Sequence, residues 1–255
     1  MKIAVTGKGG VGKSTVAAAL ALTLAQRGNR VLALDADPDA NLAAALGMPK
    51  DLLDKIVPVT QQIALIEERT GAKVTEYGKV FKMNPDVADV ADKLAVTHRG
   101  VELLELGAVQ KGGGGCACPA SAFAKALVAD LVLLKNEALV LDMEAGIEHL
   151  GRATAHGVDA MLIVCEPGQR SVDCAESVTR MALDIGVKRL LYIGNKITGP
   201  EDEAFLAKAL GKALCAAIPY RDSIRNADRL GVTALDSAGS ALQEPIGAIL
   251  QALEV

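Results

Sequence analysis

Short β-rich apolar runs alternate with longer Ala/Leu-rich stretches along most of the chain, the rhythm that builds a parallel sheet covered by helices. Strands are predicted over Lys2–Thr6, Arg30–Asp35, Val101–Leu106, Ala138–Asp142, Ala160–Cys165, Leu190–Gly194 and Leu214–Ile218. These runs are mostly continuously apolar, as expected of strands buried on both faces. Helices are predicted over Ser14–Gln26, Ala120–Leu134, Val172–Ile185, Asp202–Leu210 and Ala238–Leu253. The pattern describes an α/β fold, a doubly wound, mostly parallel sheet flanked by helices. Between Met48 and Gly100 the rhythm breaks into a charged stretch carrying Glu67, Glu68, Arg69 and several lysines. That stretch lacks the apolar residues for a core of its own. The expectation is one domain over residues 1–255 with an irregular insertion of short helices at about 48–100.

Composition narrows the function. A chain of 255 residues that is 51% hydrophobic can bury one large core. Aromatic residues make up 2%, with no Trp, which argues against aromatic cages and base-stacking platforms. A net charge of -4 removes any overall electrostatic reason to approach nucleic acid or an anionic membrane. Met1 to Thr6 runs straight into a glycine loop and lacks the parts of a signal peptide. No apolar run approaches the roughly 18 residues of a spanning helix, so the protein is expected in the cytoplasm. The five cysteines do not form an even disulfide framework, so close thiols invite a metal or redox reading.

Gly7-Lys8-Gly9-Gly10-Val11-Gly12-Lys13-Ser14-Thr15 follows a strand, opens a helix and fits G-x-x-x-x-G-K-[ST]. Glycines let backbone N–H groups curl around phosphate oxygens, and the helix N-terminus adds positive potential. Lys13 bridges the outer phosphates and the Ser14 hydroxyl ligates Mg²⁺. The same residues contain G-x-G-x-x-G, with Asp35 about 20 residues further on, where a dinucleotide fold holds a ribose hydroxyl. A dinucleotide fingerprint has no use for Lys-Ser directly after its last glycine, so Lys13 and Ser14 favour a nucleoside triphosphate.

Carboxylates at the carboxyl edge of the sheet fit beside this loop. Asp35-Ala36-Asp37-Pro38-Asp39 follows the second strand, and carboxylates so near phosphates require metal and water between them. Asp35 suits the outer shell of Mg²⁺; Asp39 is equally well read as a turn or helix cap before Asn41. Ala138–Asp142 is an apolar strand ending in aspartate, the arrangement that holds Mg²⁺ through water in phosphate-loop enzymes.

The sequence GKGGVGKST resembles the deviant Walker A loop of the SIMIBI-type phosphate-loop NTPases that include nitrogenase iron protein, the MinD-type ATPases and the arsenite-pump ATPases. The resemblance implies that Lys8 reaches across a nucleotide-sandwich dimer to the partner's phosphates, neutralising charge as an arginine finger does. An exposed loop lysine is the plain alternative. It also implies that Asp37, before Pro38, orients the attacking water, so that Lys8, Lys13 and Asp37 form the catalytic set. Met143-Glu144-Ala145-Gly146 resembles the family's second switch, in which Gly146 senses the γ-phosphate. Asn195-Lys196 resembles its adenine-contacting pair, and Ile218-Pro219-Tyr220 closes the last strand where the family approaches the base.

Cys116-Ala117-Cys118 follows four glycines and precedes Pro119, a good first residue for a helix. Two thiolates one residue apart fill half of a four-coordinate shell. The same pair from a second subunit across a twofold axis would complete it, making dimerisation and metal binding one event. The geometry suits tetrahedral Zn²⁺ or square-planar Ni²⁺. Cys165, Cys174 and Cys215 sit in apolar settings and read as core. His98, His149 and His156 lack metal-ligand spacing.

Four segments, Ala64–Ala72, Phe81–Pro85, Gly112–Pro119 and Asp142–Arg152, together look like the CooC-type nickel-insertion ATPases, and the likeness covers essentially the whole chain. It implies a homodimeric, ATP-dependent metallochaperone that matures the nickel cluster of carbon monoxide dehydrogenase or acetyl-CoA synthase, using ATP/ADP, Mg²⁺ and Ni²⁺ at Cys116 and Cys118. Neither nucleic acid nor membrane is an expected partner. An iron–sulfur electron-transfer or cluster-delivery ATPase of the same superfamily is the alternative. Its family bridges the dimer with a second, distant cysteine after the second switch, which Met143 to Gly157 lacks, but a cluster could still use the close pair Cys116 and Cys118 from each subunit. A MinD-like membrane positioner needs a basic amphipathic tail, whereas Gln243 to Val255 carries Glu244 and Glu254 and no Lys or Arg.

Overall fold

The computed structural model describes residues 1–74, 80–108, 119–133, 138–145 and 157–254. Among these, β1 (Lys2–Gly7), β2 (Val31–Asp35), β3 (Val96–His98), β4 (Val101–Glu105), β5 (Ala138–Asp142), β6 (Ala160–Cys165), β7 (Leu190–Ile197) and β8 (Ala216–Pro219) form one sheet. It has eight strands in the order β3-β4-β2-β5-β1-β6-β7-β8. Every neighbouring pair is parallel except β3 with β4.

Because side chains alternate across a strand, each apolar run feeds two cores. Ile3 and Val5 of β1, Val31 and Ala33 of β2 and Val140 of β5 point to one face. They pack there with α1 (Lys13–Gln26) and the C-terminal helix Ser240–Leu253. Ala4, Leu32, Leu34, Leu139 and Leu141 point to the other face. These meet the helices Pro119–Leu133 and Gln169–Ile185. Helix α1 is buried on most sides, Val16 to Leu22 being within 2% of complete burial. That suits its Ala/Leu composition, since a helix without a polar face has to be covered all round.

The chain leaves β1 toward β2 on one side and takes up β6 on the other, so strand order reverses beside β1. In open α/β sheets a ligand sits at the carboxyl ends of the strands at such a switch point. The loop after β1 stands there, with the ends of β2, β5, β6 and β7 around it.

Within residues 48–100 the described elements are the short helices Lys50–Leu53, Ile63–Thr70 and Val90–Leu94, a 3₁₀ turn at Val59–Gln61, and β3. Arg69 ties them together, donating to the Asp86 carbonyl at 3.1 Å and to the Asp89 carboxylate at 2.8 Å. The strand β3 is not foreseen by the sequence pattern, nor is the helix Asp222–Leu230. Strand β7 runs three residues beyond its predicted end, carrying Asn195 and Lys196 inside the strand.

Candidate nucleotide site

Three glycines of the loop after β1 take positive φ, Gly7 at 148°, Gly10 at 80° and Gly12 at 96°. Gly7 and Gly12 are also short of room. A Cβ at Gly7 would stand 2.3 Å from the Val164 carbonyl oxygen, and one at Gly12 would stand 2.3 Å from Asn195 Nδ2. Only glycine meets both demands. Gly9 and Val11 complete the curve, Val11 N–H donating to the Lys8 carbonyl at 3.3 Å. Gly12 precedes the first turn of α1, so Lys13, Ser14 and Thr15 sit at a helix N-terminus, where free N–H groups and the helix dipole favour phosphate.

The carboxylates converge on that turn. Lys13 is nearly buried, its Nζ 3.3 Å from Asp37 Oδ2. Asp35 Oδ2 accepts from the backbone N–H of Asn41 at 3.0 Å and of Leu42 at 2.9 Å, and Oδ1 accepts from Asp37 N–H at 3.2 Å. Asp35 is thus the residue that caps the helix Leu42–Ala45 and shapes the Asp37 turn. Asp39 does not cap it; its own N–H donates to Asp37 Oδ1 at 3.0 Å. Burial nevertheless pushes the Asp35 carboxyl up to about 7, against these backbone donors, with Asp142 adding to the rise.

Asp142 is the register partner of Asp35 across β2 and β5. It is fully buried, and neither carboxylate oxygen has a hydrogen-bond partner of normal geometry among the described residues. Burial pushes it up to about 6; the adjacent Ser14 hydroxyl and Lys13 ammonium favour its charged form, and Asp37 opposes it. An orphaned buried carboxylate beside a serine at a phosphate loop fits hydrated Mg²⁺. Ser14 and Asp142 would hold the ion, which supplies charge neutralisation at the outer phosphates.

The far wall comes from β6, β7 and the segment after β8. Asn195 Nδ2 donates to the Val11 carbonyl at 2.7 Å, and Asn195 Oδ1 accepts from Lys196 N–H at 2.8 Å. Lys196 has a positive φ of 58°, and its Nζ donates to the Gly10 carbonyl at 2.7 Å and to Glu166 Oε2 at 3.0 Å. The pair read from sequence as base contacts therefore also braces the phosphate loop. A cleft of about 490 Å³ opens between this brace and the helix Asp222–Leu230, bordered by Gly12, Thr15, Asn195, Pro219, Arg221 and Arg225. Its size suits a nucleotide.

Sequence reasoning missed Glu166 and the arginines Arg221 and Arg225. Glu166 carried the same signal as Asp142, a carboxylate at the carboxyl end of a buried strand. Gly146, Cys116 and Cys118 lie outside the described residues, as do His149 and His156. Cys165 is buried and its thiol pushed up to about 12, while Cys174 and Cys215 are half-buried and raised by the same desolvation. Such thiols pack rather than ligate. Among the described residues no group of His, Cys, Asp and Glu is arranged to hold a metal ion by itself. No described helix is long and apolar enough to cross a membrane.

Comparison with known proteins decides the family. The model of the CobQ/CobB/MinD/ParA nucleotide binding domain matches residues 2–234. The chain is 43% identical over 254 residues to the carbon monoxide dehydrogenase accessory protein CooC of Rhodospirillum rubrum, covering 99% of this chain and 96% of that one. It belongs to the CobQ/CobB/MinD/ParA family, in its CooC-type branch. An uncharacterized ATP-binding protein of Methanocaldococcus jannaschii is 41% identical over 91% of this chain and 90% of its own. Among solved structures, the MinC:MinD cell division protein complex of Aquifex aeolicus matches at a TM-score of 0.70 and 21% identity, over 100% of this chain and 96% of that one. The latter likeness is one of fold. Family membership makes this CooC-type chain an ATPase.

Proposed function

We propose that the protein is an ATP-hydrolysing metallochaperone that carries Ni²⁺ to the active-site cluster of carbon monoxide dehydrogenase or of acetyl-CoA synthase. The observation that carries this reading is identity of 43% along nearly the whole length of the Rhodospirillum rubrum accessory protein. The cargo site is the pair Cys116 and Cys118, directly before the helix that starts at Pro119. Two such pairs across a twofold axis give four thiolates, enough for Ni²⁺, and for Zn²⁺ in vitro.

ATP gates the cargo in this reading. Gly7 to Thr15 hold the phosphates, Ser14 and Asp142 hold Mg²⁺, Asp37 orients the attacking water, and Lys8 serves the partner's phosphates. Gly146 senses the γ-phosphate, while Asn195, Lys196 and Pro219 border the base and Asp35 fixes the Asp37 turn. Triphosphate draws two cytoplasmic subunits together and aligns the thiolates; hydrolysis loosens the pair and frees the ion for the client enzyme.

Nickel titration with elemental analysis, run beside analytical ultracentrifugation, tests the reading. One Ni²⁺ per two chains is expected in the wild type with a non-hydrolysable triphosphate, and loss of that site in a Cys116→Ser/Cys118→Ser protein. Unchanged nickel stoichiometry and affinity in the double variant would overturn the assignment.

A further inference from the structure

Two lysines of the nucleotide site share one carboxylate. Glu166 stands at the end of β6, next to the strand that launches the phosphate loop, and its N–H is fixed by the Ser171 hydroxyl at 3.1 Å. Its Oε2 lies 3.0 Å from Lys196 Nζ, a firm ion pair, and its Oε1 lies 4.0 Å from Lys8 Nζ, at the outer limit of one. Lys196 in turn donates to the Gly10 carbonyl at 2.7 Å. Glu166 thus meets the brace on the loop at hydrogen-bond distance and Lys8 only at the edge of ion-pair range.

We propose that Glu166 is a positioning residue for the ATPase reaction, keeping Lys196 on the Gly10 carbonyl while drawing the Lys8 ammonium back until a γ-phosphate takes it. The physical basis is competition for one cation. A lysine 4.0 Å from a carboxylate is attracted without being committed to a hydrogen bond, so a phosphate of higher charge displaces the carboxylate readily. All three side chains are about a third exposed, at 31% for Glu166, 37% for Lys8 and 42% for Lys196. Solvent keeps each pair weak, and the restraint on Lys8 is correspondingly small, a few-fold in affinity. That size suits a residue that has to let go in every cycle. Lys196 has the firmer contact and a second partner on the loop, so it stays in place when Lys8 leaves.

The inference rests on the reading of Lys8 as the lysine that serves the γ-phosphate. The test is equilibrium binding of ADP and of ATPγS, with Mg²⁺ and without nickel, to wild type, Glu166→Gln, Lys8→Met and the double variant. The amide keeps an oxygen for Lys196 but lacks the charge that holds Lys8. Glu166→Gln is expected to bind ATPγS about two- to fivefold tighter with a smaller change for ADP, and this preference should vanish in the Lys8→Met background. A merely structural role would weaken both nucleotides together. Equal shifts for ADP and ATPγS, a preference that persists without Lys8, or no shift at all would overturn the proposal. Sedimentation of the same samples separates the two readings: a wild type that stays single with ATPγS defeats pairing, whatever the binding cycle reports.

Discussion

Asn195 fills the space in which a side chain on Gly12 would lie, its Nδ2 only 2.3 Å from the position of a Cβ there. The same amide nitrogen donates to the Val11 carbonyl, so the glycine and the asparagine define the turn of the phosphate loop together. Gly12→Ala would place alanine at a φ of 96° and push Asn195 off its acceptor. Left-handed backbone costs an alanine about 1–2 kcal/mol, and a displaced buried amide about 1 kcal/mol more. The expected result is a melting temperature lower by roughly 4–10 °C with loss of nucleotide binding. Gly9→Ala is the control: a Cβ there meets nothing within 4 Å, so calorimetry should find its melting temperature within a degree or so of wild type.

Asp35 and Asp142 face each other in register, and burial raises them to about 7 and about 6 from 3.8. An unfolded chain loses these protons near pH 4, whereas the folded chain keeps them up to pH 6 and 7. Between those limits the folded state binds more protons, so its stability falls as pH rises and levels off above about 7. Asp142→Asn removes one buried charge without removing a hydrogen bond, since its oxygens have no protein partner of normal geometry among the described residues. Denaturant unfolding should find this variant more stable at pH 8, by on the order of 2 kcal/mol, with a flatter slope between pH 5 and 7. Its ADP affinity should also cease to respond to Mg²⁺. Equal slopes for the two proteins would remove the case for a strained aspartate pair.

Arg69 joins the helices Ile63–Thr70 and Val90–Leu94 through the Asp89 carboxylate, which Lys93 also holds at 2.6 Å. The guanidinium and this ammonium keep Asp89 well below the usual carboxylate range. Arg69→Ala should raise hydrogen exchange in the helices Ile63–Thr70 and Val90–Leu94 while leaving global stability close to wild type, as expected of a peripheral ion cluster. Nucleotide affinity, measured in the same buffer, should stay at the wild-type value.

How much of this was legible beforehand depends on how local the cause is. Ala138–Asp142 could be read to the residue because a continuous apolar run ended by a carboxylate needs no distant partner to declare itself. The loop from Gly7 to Thr15 is equally local. Strand β3 escaped because it pairs back on β4 through Arg99 and Gly100, both at positive φ, 49° and 80°, a tight hairpin turn that usually announces itself as Asn-Gly. The helix Asp222–Leu230 carries apolar Ile224, Ala227 and Leu230 at helical spacing among charged residues, but at nine residues it is shorter than the window of about 11–18 over which such a pattern is read. Lys196 shows the deeper limit. Its place in the sequence suggests the base and says nothing of the contact its ammonium makes with the Gly10 carbonyl, across 186 residues that only the sheet order brings together.

Lys13 and Asp37 form a nearly buried pair at 3.3 Å, so in the role proposed for Lys13 a nucleotide has to draw it away from Asp37. Removing the Asp37 charge lowers that cost and at the same time takes away the group assigned to orient the attacking water. Asp37→Asn should therefore separate binding from turnover. ATP affinity is expected to stay equal or rise a few-fold, while kcat falls by about 10²- to 10³-fold, within the range for loss of a positioned acid or base. Lys13→Met should do the opposite in binding, losing affinity for ADP and ATP alike because the phosphates lose their main cation while Asp37 remains. Isothermal titration with each nucleotide, paired with phosphate-release kinetics, checks both variants. If Asp37→Asn hydrolyses ATP at the wild-type rate, water positioning passes to another group, and the pair with Lys13 becomes a means of setting affinity alone.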